Sequence, residues 1–299
     1  MINELKTVIS EEKIKYNVSM KEYTSFKTGG NASVIVFPTT LEEIKNVVKF
    51  FYDAKIQFNI LGNGSNLLVS DKGYRGLVIS IGKDMAQVTV EGNLVTAQAG
   101  AMLGSVAQTA AKNSLGGMEF ASGIPGSIGG AIVMNAGAYD GEMKNIVKEV
   151  RVLTKEGDAI TLSNGELEFG YRMSRVKKEG LIVLSVTLLL EKKEQSAIYE
   201  KMNDFSARRR EKQPLEFPSA GSTFKRPVGM FAGKLIMDAG LRGYTVGGAQ
   251  VSEKHCGFVI NKGNATAEDI RTLIYDVQKK VNEQFGVVLE PEVIFVGDF

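Results

Sequence analysis

Residues 116–139 read GGMEFASGIPGSIGGAIVMNAGAY. The stretch is rich in Gly, Ala and Ser, and Glu119 is its only carboxylate. Glycines recur at 116, 117, 123, 126, 129, 130 and 137. Such spacing lets a backbone approach a bulky group closely and turn where a Cβ would clash. Backbone N–H groups arranged this way form concavities for anions. Read alone, the stretch also suits a tightly packed loop and helix inside a core. A second segment, Gly62-Asn63-Gly64-Ser65-Asn66, follows the apolar run 56–61 and lies about sixty residues upstream. Two Gly-rich turns so placed suit the wall of a ligand with a long pyrophosphate body. Gly62-Asn63-Gly64 is not a dinucleotide fingerprint by itself, because Leu67 stands where the third glycine belongs.

Outward from these turns, the totals set limits. With 299 residues the chain has room for two or three small domains, or for one large core with additions. A hydrophobic share of 43% and a charged share of 23% are ordinary for a globular protein. A net charge of +2 does not suggest a general nucleic-acid binder. Cys256 is the only cysteine, so no internal disulfide can form, which fits a reducing compartment. No apolar run reaches the ~18–20 residues of a membrane span, and the N-terminal residues lack a signal-peptide core. A cytoplasmic protein with no membrane partner is the expectation. His255 is the only histidine, which leaves little material for a His-based metal site or a Ser-His-Asp triad.

The patterning reads as mixed α and β. Residues 1–20 suggest an amphipathic helix or arm, and 33–37 a strand. Thr40-Leu41-Glu42-Glu43 looks like a capping box, followed by Leu41, Ile44, Val47, Val48 and Phe51 on one helical face. Strands are expected at 57–61, 76–80, 87–91 and 94–99, the last two turning at Glu91-Gly92-Asn93. A helix over 103–113 leads into the Gly-rich stretch. Residues 146–154 and 158–162 form another hairpin, and 181–190 is apolar enough for a strand buried on both faces. Composition shifts at Glu191-Lys192-Lys193-Glu194, a candidate domain junction. Helices are expected over 196–210 and 231–239. A last helix starts at Thr266-Ala267-Glu268-Asp269 and ends at Gly286, before a final strand over 287–296.

Several polar clusters have the residue types that chemistry needs. Gly221-Ser222-Thr223-Phe224-Lys225-Arg226 puts a hydroxyl beside two cations. It reads as a solvated surface turn, or as a carboxylate- or phosphate-binding loop in which Ser222 relays a proton. Arg172 after Tyr171 reads as a surface ion pair or an anion clamp. Arg208, Arg209, Arg210 and Lys212 either complement a helix end or bind a substrate with several negative groups. Glu292, within an otherwise apolar segment, faces outward or is buried and paired. His255 and Cys256 precede an apolar strand and also read as packing residues.

Taken in order, the motifs carry a resemblance. They are Thr24-Ser25-Phe26-Lys27-Thr28-Gly29-Gly30, Leu61-Gly62-Asn63-Gly64-Ser65-Asn66, Gly123-Ile124-Pro125-Gly126-Ser127-Ile128-Gly129-Gly130 with Asn135-Ala136-Gly137-Ala138, and Tyr171-Arg172. Then come Ala220-Gly221-Ser222-Thr223-Phe224-Lys225, Gly247-Gly248-Ala249-Gln250-Val251 and Leu289-Glu290-Pro291-Glu292-Val293. The ordered set, spread across the whole chain, resembles the UDP-N-acetylenolpyruvoylglucosamine reductase family, the MurB flavoproteins of bacterial peptidoglycan synthesis. The resemblance implies an α+β protein with an FAD-binding half of the vanillyl-alcohol-oxidase (PCMH) type. Its two subdomains would be 1–84, joined by the C-terminal strand 287–299, and 85–193, with a C-terminal substrate domain over 194–286. It implies FAD as cofactor, NADPH as co-substrate and a UDP-sugar as substrate, in a cytoplasmic monomer. Hydride would pass from NADPH by way of the flavin to C3 of the enolpyruvyl group, and a proton would reach C2, giving UDP-N-acetylmuramate.

By the same resemblance, Arg172, Ser222 and Glu292 are the catalytic residues: carboxylate and charge stabiliser, proton donor to C2, and catalytic glutamate. Gly62, Asn63, Gly64, Ser65, Asn66, Gly123, Ile124, Pro125, Gly126, Ser127, Gly129, Gly130, Asn135, Ala136 and Gly137 are cofactor-binding. Lys225, Arg226, Arg209, Lys212 and His255 are substrate-binding. The chain departs from one family type in two ways. The interval from Arg172 to Arg208 is too short for that type's inserted tyrosine loop, and Arg226 stands where that type has asparagine. The chain therefore resembles the loop-lacking type. A flavin oxidase of the same superfamily, acting on an alcohol or hydroxy acid, is the alternative enzyme. A nucleotide-binding module that kept the fold and lost the reaction is the alternative class, and it would have lost Ser222, Arg172 or Glu292.

Overall fold

The five-stranded antiparallel sheet around Ile182–Leu189 is the largest regular element of the computed structural model, which describes residues 2–299. Its strands run in the order Ala159–Ser163, Val147–Leu153, Ile182–Leu189, Leu94–Gln98 and Val88–Glu91. Ile182–Leu189 is the middle strand, and Ile182, Val183 and Leu184 are buried in succession. That accounts for the apolar run with which it opens. Farther along, Ser185 and Thr187 are half-buried and Leu189 is exposed, so only its first half is covered on both faces. Both expected hairpins form, with Glu91 opposite Leu94 and Leu153 opposite Ala159.

Contacts group the chain into two compact units. The first comprises 2–15, 34–63 and 76–208, and the second 16–33, 64–75 and 209–299. Each has its own apolar core. These boundaries cut the chain differently from the three-part division read off the sequence, and the helix Gln195–Lys212 runs across the last of them. In the first unit, the helices Leu41–Asp53 and Leu103–Lys112 bury one face each in the core. The helix Ile128–Val133 packs on Ile182–Leu189. A four-stranded sheet has the order Ile14–Ser19, Asn31–Val36, Tyr74–Ser80, Phe58–Leu61.

The second unit is built on the helix Ala267–Phe285, which buries Ile270, Leu273, Ile274, Val277 and Val281. Thr266 and Asp269 form a reciprocal capping box, a device worth about 1 kcal/mol, whereas the box expected at Thr40 is half made: Thr40 accepts from Glu43 N, but the Glu43 carboxylate accepts from Thr39 N instead of Thr40 N. Gly286 ends the helix at φ +68°. The carboxylate of Asp71 accepts from the N–H groups of Ala267 and Glu268, both at 2.9 Å. Ile294–Val296 pairs in parallel with Leu67–Val69.

Two expectations are corrected. Residues 1–20 are not one helix: Ile2–Val8 is helical, and Ile14–Ser19 is a strand beside Asn31–Val36. Sheet pairing overrides whatever helical periodicity the segment carries. The final strand over 287–296 shrinks to Ile294–Val296. Pro291 has no N–H to give to a ladder. Instead the flanking groups pair: Lys225 N donates to Glu290 O and Glu292 N donates to Thr223 O, both at 2.8 Å.

Candidate functional site

In the first unit the two Gly-rich segments meet. The Asn63 side-chain amide donates to the Pro125 carbonyl at 2.8 Å, across 62 residues of sequence. A Cβ on Gly62 would stand 2.5 Å from Ser127 Oγ, so only glycine admits this approach. Gly62, Asn63, Gly123, Pro125 and Gly130 are exposed there. The N–H groups of Ile124, Gly126, Ile128 and Gly129 bond to Ala121, Ile124, Ala101 and Ala99 carbonyls within the protein. Ser127 caps the short helix by accepting from Gly130 N at 3.4 Å. The loops are thus braced from behind, with glycine at three of the five exposed positions. A surface of this kind, with few side chains to stand in the way, fits a flat, pyrophosphate-bearing group such as FAD.

The remaining residues of the first turn belong to the second unit. Gly64 sits at φ +60°, and a Cβ there would collide with the Tyr23 carbonyl. Asn66 donates through Nδ2 to Glu292 O at 3.1 Å and accepts from Ile294 N at 3.0 Å. A residue read as cofactor-binding therefore grips the backbone on both sides of Val293.

Arg172 lies in the first unit at the tip of a tight turn closed by a bridge between Gly170 and Met173. Its φ is +54°, a left-handed conformation that costs a non-glycine residue about 1 kcal/mol or more and persists only where neighbours impose it. The neighbours are identifiable. Asn135, 1% exposed and itself at φ +42°, donates to the Gly170 carbonyl at 3.0 Å. Lys177 Nζ donates to Arg172 O at 3.4 Å. Ser174 caps the following helix and donates to Val133 O at 2.9 Å. The guanidinium donates to Gly137 O at 3.4 Å and lies 5.1 Å from the Tyr171 ring centre.

Ser222 is exposed in the second unit, next to Thr223, which is fully buried. Thr223 N donates to Gly257 O at 2.8 Å, its Oγ1 accepts from Val259 N at 2.9 Å, and its carbonyl accepts from Glu292 N. These bonds place residues 222–225 alongside 290–292, so the proton donor and the glutamate named by the resemblance sit on paired backbone. The loop's two cations diverge. Lys225 forms an ion pair with Glu290 at 2.5 Å, and Arg226 lies 4.6 Å from the Phe231 ring centre. Arg209 and Lys212 occupy the last turn of the helix Gln195–Lys212, Arg209 half-buried and Lys212 exposed. Sequence reading noted Glu290 without seeing its pairing, and missed the bracing by Asn135, Asp71 and the ring stack of Tyr139 on Phe205 at 4.3 Å. Long-range partners leave no local signal; only the Asn-Ala-Gly run around 135 hints at a left-handed backbone.

His255 is half-buried. Gly257 N donates to its Nδ1 at 3.0 Å, which leaves the neutral ring's proton on Nε2. Burial pushes its pKa below the usual 6.5, outweighing the opposing backbone hydrogen bond. The folded value is thus the lower one. Well above pH 6.5 both states are neutral and stability is unaffected; as pH falls through 6.5 the unfolded chain binds a proton that the folded chain resists, and stability drops. Because His255 is the only histidine, the loss that sets in as pH falls through about 6.5 is assigned to it. Urea midpoints should fall over that window in the wild type and stay flat in His255→Gln; a matching fall in the variant removes the assignment.

The family model described as UDP-N-acetylenolpyruvoylglucosamine reductase, C-terminal domain, matches residues 213–296, and that of an FAD binding domain matches 32–163. A curated UDP-N-acetylenolpyruvoylglucosamine reductase of Caldanaerobacter subterraneus subsp. tengcongensis is 51% identical over 298 residues, covering 100% of this chain and 98% of that protein. The one from Clostridioides difficile is 50% identical over 294 residues, covering 98% and 97%. The crystal structure of UDP-N-acetylenolpyruvylglucosamine reductase from Thermus caldophilus aligns with a TM-score of 0.82 at 35% identity, over 94% of this chain and 98% of that one. Phl p 4.0202, a glucose dehydrogenase, aligns with a TM-score of 0.51 at 15% identity, over 65% of this chain and 44% of that one, a likeness of fold alone.

Proposed function

The chain belongs to the UDP-N-acetylenolpyruvoylglucosamine reductase family, and from that premise we propose that it reduces the enolpyruvyl ether of UDP-N-acetylglucosamine to UDP-N-acetylmuramate with NADPH, for peptidoglycan synthesis. The observation that carries the reading is 51% identity to a reductase across 298 residues. Arg172, Ser222 and Glu292 are all present. Residues 62–66, 123–127, 129, 130, 136 and 137 hold FAD, which supplies the hydride, taken from NADPH, when bound. Hydride addition at C3 leaves negative charge at C2, delocalised into the substrate carboxylate. Arg172 binds that carboxylate and stabilises the charge, the kind of preorganised electrostatics that supplies much of enzymatic rate. Ser222 delivers the proton to C2. Glu292 hydrogen-bonds the developing charge when protonated.

Lys225, Arg226, Arg209 and Lys212 take the UDP phosphates, and the Nε2 proton of His255 is offered to a substrate acceptor. Among the described residues no helix is long and apolar enough to cross a membrane. We place the enzyme in the cytoplasm as a monomer, built of the two FAD-binding subdomains and the C-terminal substrate domain outlined from the sequence, with no nucleic-acid partner and with roles in cell shape and division that follow from wall synthesis.

The test is visible absorbance of the purified protein under anaerobic conditions. NADPH should bleach the flavin, and the enolpyruvyl UDP-sugar should restore the colour. A protein that stays colourless with added FAD overturns the reading at its base. Bleaching without recovery keeps the flavin and replaces the electron acceptor.

A further inference from the structure

We infer that Asn135 is a positioning residue for Arg172 rather than a ligand of the cofactor, an inference that rests on the role given to Arg172 above. Its side-chain amide is fully committed inside the protein. Nδ2 donates to Glu142 Oε2 and to Gly170 O, both at 3.0 Å, and Oδ1 accepts from Lys144 N at 2.9 Å. At 1% exposure the amide has little surface for a ligand to touch. The Glu142 carboxylate and the Lys144 amide fix which end of the amide points where, because only the NH2 end donates to a carboxylate. That orientation aims the second N–H at Gly170, the residue from which the Tyr171-Arg172 tip departs.

The two ends of the brace are both strained, with Asn135 at φ +42° and Arg172 at φ +54°. Gly137, two residues beyond Asn135, accepts from the Arg172 guanidinium at 3.4 Å. The segment 135–137 therefore holds the arginine twice, by its backbone root through the Asn135 amide and by its head through the Gly137 carbonyl. An arginine acts on a forming carbanion only where its fork is aimed before the charge appears. Asn135 supplies that aim from inside the glycine-rich wall.

The experiment follows both half-reactions in Asn135→Gly, which removes the amide and keeps the left-handed backbone at ease. FAD content and NADPH-dependent bleaching should stay within about twofold of wild type, while recovery by the enolpyruvyl UDP-sugar slows about tenfold, the rate equivalent of one buried hydrogen bond. The same substitution in an Arg172→Ala background should slow recovery no further, because the residue it aims is gone. Should Asn135→Gly fail to fold, Asn135→Ser stays neutral beside Glu142, is too short to carry the amide bond to Gly170, and should show the same slowing. Loss of FAD from either soluble variant returns Asn135 to the cofactor and overturns the inference. So does a wild-type recovery rate, or an undiminished slowing in the Arg172→Ala background. Wild-type recovery in Arg172→Ala alone would strike at the assigned role of the arginine, and the inference would fall with it.

Discussion

Ser222→Ala is expected to bleach with NADPH at close to the wild-type rate and to recover its colour with the enolpyruvyl UDP-sugar about 10²–10⁴-fold more slowly, the span of a lost general acid. The selectivity follows from when the proton is needed. Hydride transfer from NADPH asks nothing of C2, because no substrate carbon is yet present. The serine hydroxyl matters only once negative charge has built up there. The loop will not move to confuse the result: Thr223, the next residue, is fully buried and bonded to Gly257, Val259 and Glu292. Ser222 itself is exposed, so removing its oxygen leaves no cavity. Stopped-flow absorbance near the flavin band separates the two half-reactions directly. Equal slowing of both, or loss of the cofactor, would show that the hydroxyl is structural and that another group protonates C2.

The parts of this fold that sequence could supply are those fixed by neighbours in the chain. Thr40 and Thr266 cap their helices as read, each accepting from an N–H three residues on. Gly286 closes the last helix, and the hairpins at 91–94 and 153–159 fall where turn residues interrupt apolar alternation. The burial of Ile182–Leu184 on both faces was legible because a middle strand needs apolar residues on consecutive positions, while the exposed Leu189 departs from that reading. What escaped is tertiary. Nothing local in IKYNVS distinguishes the sheet strand Ile14–Ser19 from an amphipathic arm until its neighbour Asn31–Val36 is known.

The site divides along the same line. The two Gly-rich runs could be read as walls of one ligand site, but neither the approach of Gly62 to Ser127 nor Asn63 as the clasp between them could. Ser222, Arg172 and Glu292 were reached through the resemblance rather than through spacing. The bonds of Asn135 to Gly170 and of Asn66 to Glu292 were not legible, because motifs mark positions without saying which way a side chain points. The ion pair of Lys225 with Glu290 spans 65 residues, beyond the reach of any pattern reading.

Glu292→Gln should retain FAD and NADPH-dependent bleaching, while substrate-dependent recovery falls about 10²–10³-fold, the cost of removing one oriented charge-stabilising group. The substitution tests the side chain alone, because the backbone here is held independently of it. Glu292 N donates to Thr223 O at 2.8 Å, its carbonyl accepts from Asn66 Nδ2 at 3.1 Å, and Ile294 N is fixed on Asn66 O. Glutamine matches glutamate in size and keeps a donor and an acceptor, but it cannot ionise or pass a proton. If Glu292 works protonated, as a donor to the charge at C2, the NH2 group of glutamine replaces part of that hydrogen bond and the loss should sit at the lower end of the range. If Glu292 must exchange a proton, the loss should sit at the upper end, and the rate of the variant should lose the wild-type dependence on pH. Apoprotein, or equal damage to both half-reactions, would instead make the glutamate a structural partner of the Asn66 turn and would leave Arg172 and Ser222 to carry the chemistry.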